Sequence, residues 1–236
     1  MRPAFLLLLL YVTDLSAQVV LSGPIMRTIP AAGGPSYLLE ERFEGTGTPS
    51  GWTTSGTGTV NYDYASTPAP LAGSESMQLN RSSGTYQVIS PSFTAQDDIW
   101  VFFRCSPEGN DSSSGTFTFS QMADVALRVN GSHEIILVHG TVEATSSGVT
   151  ATQDAHFRIW MHLVTDPVGG GADGVATVYI SSSSDTRPVS PVISLTSGNG
   201  STQFSNWTGQ ASTSTHLNPW VFDDVVVSTS EITDAP

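Results

Sequence analysis

Hydrophobic and polar residues alternate most regularly in residues 156–181. The apolar positions are Phe157, Ile159, Met161 and Leu163, and the positions between them are His156, Arg158, Trp160 and His162. A period of two is the strand period, so this stretch predicts a strand with one apolar face and one face of Arg, Trp and His. Residues 175–181 favour a second strand, and Asp166-Pro167 with several glycines between the two segments predicts a hairpin.

The same alternation recurs in residues 98–105, where Trp100 and Arg104 fall on the polar side. Residues 220–228 predict a clear final strand, and Asn130-Gly131 is typical of a hairpin turn. No long helical period occurs, and ten or more short strands with regularly spaced turns predict an all-β antiparallel sandwich. We expect the folded domain to span residues 37–230, followed by a short tail at 231–236.

The charge is strongly one-sided. The 236 residues include no lysine, eight arginines and 21 acidic residues, which gives a net charge of −13. Such a surface repels phosphate backbones and anionic lipid, so nucleic-acid binding and membrane insertion are disfavoured, while cations such as Ca²⁺ are attracted. Cys105 is the sole cysteine and lies in an apolar strand, so we expect a buried thiol rather than a disulfide or zinc ligand.

The first 36 residues allow two interpretations. Met1-Arg2, the apolar run 4–12 and a small residue at Ala17 are typical of a secretory signal peptide, although Leu15 is not small. The alternative is an N-terminal arm that is retained and packs against a partner. Prolines and glycines in residues 18–36 indicate a linker or arm in either case.

Three segments together resemble the concanavalin A-like lectin/glucanase jelly roll, including laminin-G-like domains. They are LLEERFEGTGTPSGW near the start, HFRIWMHLV with GVATVYIS in the middle, and WVFDDVVVS at the end. The Phe-Glu-Gly opening with an Asp-Asp-Val close is also similar to calcium-bearing carbohydrate-binding modules and to phage virion adhesion or decoration modules. The resemblance covers residues 37–230 and implies a jelly-roll β-sandwich that binds a ligand or a neighbouring subunit.

The resemblance also implies a structural calcium site. In such modules a carboxylate after the first strand meets one from the last strand, and here these are Glu44 and Asp223. Asp224 is the alternative, because adjacent strand residues are expected on opposite faces. Backbone carbonyls would complete the oxygen ligands of the ion. The competing interpretation is a solvated strand end, but two successive Asp residues are unusual within an apolar strand.

The polar side of the predicted strands suggests a sugar-binding face. The candidate ligand-binding residues are Trp100, Arg104, Arg128, Arg158, Trp160 and His162. If their strands are neighbours, aromatic rings would cover pyranose faces while Arg and His donate hydrogen bonds to hydroxyls, and the residues would line the concave face. The alternative is cross-strand stacking of Trp on Arg, which requires no ligand.

No catalytic machinery is evident in the sequence. The paired carboxylates that retaining glucanases carry on one strand are missing, and there is no Gly-x-Ser-x-Gly elbow. We therefore expect a non-catalytic binding or adhesion module for a glycan or cell-surface polysaccharide, secreted or on a virion surface. The alternatives are a structural virion or assembly protein that holds a neighbouring subunit through residues 1–36, and a glycoside hydrolase.

Overall fold

The computed structural model describes residues 36–45, 47–65, 70–109, 115–166, 171–211 and 219–236. In these ranges the chain forms thirteen β-strands and no helix, which confirms the all-β prediction. The predicted export signal or arm lies almost entirely outside the described residues. In the described part of the chain, no helix is long and apolar enough to cross a bilayer.

The strands are β1 Tyr37–Glu41, β2 Thr53–Tyr64, β3 Ser76–Ile89, β4 Asp98–Pro107, β5 Phe117–Met122, β6 Val125–Val129, β7 Glu134–His139, β8 Val142–Thr150, β9 Phe157–Val164, β10 Gly174–Ser181, β11 Ile193–Gly198, β12 Thr208–Ala211 and β13 Trp220–Ser228. The two most regularly patterned segments form β4 and β9, so the period of two located both strands.

All the strand pairings are antiparallel. The hydrogen-bonded order is β11-β10-β9-β4-β13-β3-β12-β5-β6-β7-β8, with β1 beside β13 and β2 beside β3. β11 at one end also lies against β7 and β8 at the other end. The strands therefore close around a core as the predicted antiparallel sandwich.

Large aromatic and aliphatic side chains fill the main core. The Trp207 ring lies 5.7 Å from Phe103 and 5.4 Å from Phe222, measured between centroids. The alternate residues of β4, from Ile99 to Cys105, also point into this core. The Cys105 thiol is buried as expected, and burial raises its pKa well above the usual range. Each fully buried aliphatic or phenylalanine side chain in this core contributes about 1.5–3 kcal/mol of hydrophobic stabilisation.

A bulge in β13 determines where its two acidic residues point. Phe222 and Val225 both pack in the main core, although strict alternation would place them on opposite faces. The register with β4 shifts between Asp223 and Val226, and Asp224 adopts a φ of 48°. Asp223 and Asp224 therefore both lie away from the main core, and the expectation that they occupy opposite faces is wrong.

A second apolar cluster lies on the other side of β13, β4 and β9. It consists of Phe102, Trp160, Val226 and Ile232, with Tyr37, Trp100, Tyr179 and Ala235 packed against it. Ile232 belongs to the segment 231–236, which the sequence predicts as a tail. This segment is held by hydrogen bonds from Ala235 N to the Asp185 carbonyl, 2.6 Å, and from Arg187 N to the Thr233 carbonyl, 2.8 Å. It covers part of the sheet.

Candidate functional site

The candidate residues of β4 and β9 share one face of the sheet, which we call the outer face. The residues of β4 that alternate with its core positions are Trp100, Phe102 and Arg104. β9 pairs directly with β4, so Trp100 is opposite His162, Phe102 is opposite Trp160, and Arg104 is opposite Arg158. The adjacency on which the sugar-face hypothesis depends is therefore present for these two strands.

Arg128 does not join this group. It lies on β6, and four strands, β13, β3, β12 and β5, separate β6 from β4 in the hydrogen-bonded order. Its Nη1 donates a 2.9 Å hydrogen bond to Oε1 of Glu143 on the solvent side. Arg128 points away from the core as predicted, but the condition that its strand lies beside those of Trp100 and Arg104 is not met, because periodicity locates a face of a strand but not the strand's neighbours.

Trp160 is placed on the predicted face but is fully buried there. Its ring packs at 5.0 Å from that of Phe102, and Ile232 belongs to the same cluster. Its indole nitrogen has no hydrogen-bond partner among the described residues. The prediction of an exposed aromatic platform at Trp160 is wrong, because the C-terminal segment packs over this part of the sheet.

Trp100 stands at the partly exposed end of the outer face. Its ring stacks on His162 at 4.5 Å with an interplanar angle of 9°. The guanidinium carbon of Arg187 lies 4.9 Å from the Trp100 ring centroid and 4.3 Å from that of Tyr179. His162 also contacts Asp98 through Nε2, at 2.9 Å. These contacts match cross-strand stacking that needs no ligand, the alternative that the sequence left open.

The opposite end of the outer face holds two arginines that share a carboxylate. Arg104 donates from Nε to Asp224 Oδ2 at 2.7 Å and from Nη1 to Asp185 Oδ1 at 2.9 Å. Arg158 donates from Nε to the same oxygen of Asp185. These hydrogen bonds hold the pKa of the Asp185 carboxyl below its usual range. The group is a charged network at the rim of the apolar cluster.

A shallow cleft opens beside these arginines. It is lined by Leu71, Arg104, His156, Phe157 and Arg158. Burial, with the charge of Arg158, lowers the pKa of His156, so its imidazole is neutral at pH 7 and offers one donor and one acceptor. The cleft thus combines cationic donors, a neutral imidazole and an apolar wall.

Polar groups continue from the cleft across the sheet. The strand register places Gln78, Val221 and Ser106 in one row that ends beside His156. The Ser106 hydroxyl is buried and has no hydrogen-bond partner among the described residues. Buried polar groups are normally paired, so an unpaired hydroxyl at this fully buried position indicates a place for an internal water molecule.

A carboxylate sits at the far end of this row. Glu108 accepts hydrogen bonds from the Tyr64 hydroxyl and, at 2.5 Å, from Gln78 Nε2. Burial and the contact with Glu108 raise the pKa of Tyr64 above its usual range. Tyr64 also packs against Leu71, so this cluster adjoins the cleft.

The predicted calcium ligands meet through a loop rather than directly. Asp223 Oδ2 accepts hydrogen bonds from Ala72 N at 3.0 Å and from the Ser76 hydroxyl at 2.8 Å. Glu44 accepts from Ser74 N at 3.0 Å and from the Ser74 hydroxyl at 2.7 Å. The two carboxylates therefore hold opposite sides of the same short loop, residues 71–76.

Both acidic side chains on this side of β13 are shifted toward their neutral forms. Burial and the neighbouring Asp224 raise the pKa of Asp223 to about 8, and burial also raises that of Asp224 despite its contact with Arg104. The oxygen-rich surroundings suit a hard cation such as Ca²⁺. However, among the described residues no group of three or more His, Cys, Asp or Glu side chains is close enough to hold a metal ion. Any ion there would depend on hydroxyl and backbone oxygens as well.

Three important residues of the outer face were not among the sequence-based candidates. They are His156, Asp185 and Arg187. His156 follows the alternation of β9 and could have been found from it. Asp185 and Arg187 lie in the Ser- and Pro-containing connection between β10 and β11, where no periodic signal exists.

Comparisons with known proteins identify the fold. No protein-family model matches the sequence, and no curated protein matches it. A solved structure described as the cellulose induced protein Cip1 is similar with a TM-score of 0.57 and 18% identity, over 83% of this chain and 99% of that chain. This likeness confirms the predicted jelly-roll β-sandwich fold.

Two further solved structures are similar to this chain at lower identity. The binding domain of botulinum neurotoxin DC, solved with rat synaptotagmin II, has a TM-score of 0.50 and 11% identity. The match covers 78% of this chain and 44% of that chain. A GH131 β-glucanase catalytic domain from Podospora anserina has a TM-score of 0.46 and 14% identity, over 86% of this chain and 88% of that chain. At these identities the likeness concerns the fold, and function must be argued from the site.

Proposed function

We propose that this protein is a non-catalytic glycan-binding module whose ligand occupies the cleft between Leu71 and Arg158. The observation that carries the proposal is the grouping of Arg104, Arg158 and His156 around this opening. Guanidinium and imidazole groups donate hydrogen bonds to sugar hydroxyls, while Leu71 offers an apolar contact for the ring. Such a mixture is expected of a specific sugar subsite.

A row of side chains crosses the sheet beside the cleft. Gln78 and the imidazole of His156 stand at the two ends of a row that crosses β3, β13, β4 and β9. Neighbouring strands lie about 4.8 Å apart, so this row spans about 14 Å. Val221 and Ser106 in its middle are fully buried, so only its two ends, Gln78 and His156, are partly exposed to a ligand. The cleft itself is shallow, so a glycan would lie across its opening rather than enter a deep pocket.

The first test is a glycan screen of the full chain, comparing the wild type with Arg158→Ala and Arg128→Ala. Both variants remove one arginine, but only Arg158 lines the cleft. We expect the wild type and Arg128→Ala to bind the same glycans and Arg158→Ala to lose most of that binding. Equal glycan binding by all three proteins would show that the glycan binds outside this cleft.

Two other results of the same screen would favour different functions. Release of new sugar ends from a bound polysaccharide would show a hydrolase or another carbohydrate-cleaving enzyme. Binding to no glycan, together with a regular oligomer that is lost on deleting residues 1–36, would favour the structural virion or assembly role. A surface-glycan ligand implies that the protein works outside the cell or on a virion surface.

We further propose that a structural Ca²⁺ ion binds beside Glu44 and Asp223. The proposal is supported by the two buried carboxyls of Asp223 and Asp224, of which Asp224 is hydrogen-bonded to Arg104. Hydroxyl and backbone oxygens of residues 71–76 would supply the remaining ligands. Thermal unfolding of the wild type in EDTA and in excess Ca²⁺ tests this, with Mg²⁺ as the control ion. A Ca²⁺-specific rise in Tm that Asp223→Asn abolishes is expected, and equal Tm values would reject the site.

A further inference from the structure

Asp185 is more exposed than the two arginines that it bridges. Its side chain is 61% exposed, whereas those of Arg104 and Arg158 are 10% and 20% exposed. One oxygen, Oδ1, receives hydrogen bonds from both guanidinium groups. The arrangement is a largely buried donor, Arg104, and a partly buried donor, Arg158, bridged by a carboxylate on the solvent side.

We propose that Asp185 occupies the position of a ligand carboxylate, and that the cleft selects acidic polysaccharides through a uronic acid residue. The inference rests on the proposed function and names the chemical class of its glycan. A sugar carboxylate that displaces Asp185 would accept the hydrogen bonds that Arg104 and Arg158 now give to Oδ1. The sugar ring would then lie against Leu71 and His156.

The orientation of Arg104 supports a site that is ready for a carboxylate. Asp224 accepts the hydrogen bond of Nε at 2.7 Å and lies at 4% exposure, so the guanidinium is held with Nη1 directed toward Asp185. A planar guanidinium matches carboxylate geometry better than a lysine ammonium does. Arg104 and Arg158 are two of eight arginines in a chain of net charge −13 that contains no lysine. Cationic groups are therefore scarce, and this cleft has two.

The contacts of the surrounding loop allow the Asp185 carboxylate to move away from the two arginines without a change in the backbone. The Asp185 carbonyl accepts a 2.6 Å hydrogen bond from Ala235 N, and Thr186 Oγ1 donates to Asp234 Oδ1 at 2.9 Å. The main chain is thus held by the C-terminal segment independently of the carboxylate. Rotation of one exposed side chain into solvent is then sufficient to open the arginine pair.

Isothermal titration with oligogalacturonate, oligoglucuronate and a neutral gluco-oligosaccharide of the same length tests the inference. The proteins are the full-length wild type, Asp185→Asn, Arg158→Gln and the control Arg128→Gln. Measurements at about 0.15 M salt limit long-range repulsion by the acidic surface. An acidic oligopeptide serves as a non-sugar source of carboxylates.

We expect the wild type to bind an acidic oligosaccharide more tightly than the neutral one. If Asp185 occupies the arginine pair about nine-tenths of the time, Asp185→Asn should raise affinity for the acidic ligand about tenfold. Arg158→Gln should lose binding, and Arg128→Gln should bind as the wild type does. Thermal unfolding of each variant checks that the fold is retained. If Asp185→Asn does not fold, the comparison of Arg158→Gln with Arg128→Gln decides the outcome.

The outcomes separate this inference from the proposed function. Binding of neutral oligosaccharides without preference for acidic ones would overturn the inference and leave the glycan-binding function intact. Unchanged or weaker acidic binding by folded Asp185→Asn would also overturn it. Tighter binding of the acidic peptide than of either uronate would assign the site to a protein partner. Binding of no ligand at all would reject both proposals.

Discussion

Arg104 donates from Nε to Oδ2 of Asp224 across 2.7 Å, and the two side chains are only 10% and 4% exposed. An ion pair so enclosed contributes little net stability relative to an apolar pair, but loss of Asp224 leaves the buried Nε of Arg104 without its acceptor and the guanidinium paired only with the exposed Asp185. The pair also orients the guanidinium at the cleft. It therefore links the stability of β13 and β4 to the geometry of the proposed site.

Asp224→Asn should destabilise the protein by about 3 kcal/mol, the lower end of the range for breaking a buried pair. The lower end applies because Asn tolerates the left-handed φ of 48° at this position and can still accept a hydrogen bond. Urea unfolding measures the change. Glu40→Gln is the matched control, since it breaks the Arg42–Glu40 pair, in which both side chains are substantially exposed. That control should cost less than about 1 kcal/mol. Similar costs for the two variants would contradict the prediction.

Trp160→Ala should act on stability rather than on ligand contact. Trp160 is fully buried against Phe102 and Ile232, so its removal should cost about 3–5 kcal/mol. Trp100→Ala, at the partly exposed end of the same face, should cost clearly less. Chemical denaturation compares the two variants, and glycan binding is then measured at a temperature where both are folded. If folded Trp160→Ala binds no glycan while Arg158→Ala binds it fully, the glycan site would lie at the Trp160 indole rather than in the cleft.

Local sequence patterns located the strands and faces of this protein. The alternation in β4 and β9 depends only on the pleat, so it predicted that Trp100 and Arg104 point away from Ile99 and Phe103. It did not predict what covers that face. Trp160 is hidden by a segment that begins some 70 residues later, and Asp185 meets Arg104 across 81 positions. Such contacts arise from the path of the chain rather than from its local pattern.

The bulge at Asp224 shows the same limit at a single residue. Two successive Asp residues in an apolar strand indicated something unusual, and the sequence directed attention to them correctly. Their common orientation, however, depends on one extra residue in the pairing of β13 with β4, and no turn signal marks it. Without that bulge, one of the two carboxyls would point into the core.

Gly73→Ala should weaken the anchoring of the loop 71–76. A Cβ at Gly73 would overlap the carboxylate of Glu44, which is bound to Ser74. Gly84→Ala is the matched control, because Gly84 has a similar φ, 66° against 53°, but open space around it. Both variants introduce left-handed strain, so their difference isolates the lost contacts of Glu44. We expect Gly73→Ala to be less stable than Gly84→Ala by about 1 kcal/mol in urea unfolding. Equal stabilities would show that Glu44 relocates freely.

His139 should make the protein sensitive to mild acid. Its imidazole is fully buried, contacts the Gly200 carbonyl through Nε2 at 3.3 Å, and lies where a Cβ on Gly198 would be. Burial lowers its pKa, and the nearby Asp124 and Asp166 oppose this only in part. Because the unfolded chain binds the proton more readily, the contribution of His139 is present above about pH 6.5 and is lost as the pH falls through the lower folded pKa.

The test is the free energy of unfolding of the wild type and His139→Gln between pH 7.5 and pH 5.5, a range chosen around the usual pKa of His. We expect the two curves to converge as the pH falls, because Gln cannot take up the proton. His156→Gln is measured in parallel, since burial and Arg158 also lower the pKa of His156. The raised pKa of Asp223 has the opposite effect, because it makes stability fall as the pH rises. Asp223 is present in every protein compared, so its contribution cancels when the unfolding free energy of each variant is subtracted from that of the wild type. A constant difference between wild type and His139→Gln across this range would show that His139 does not titrate during unfolding.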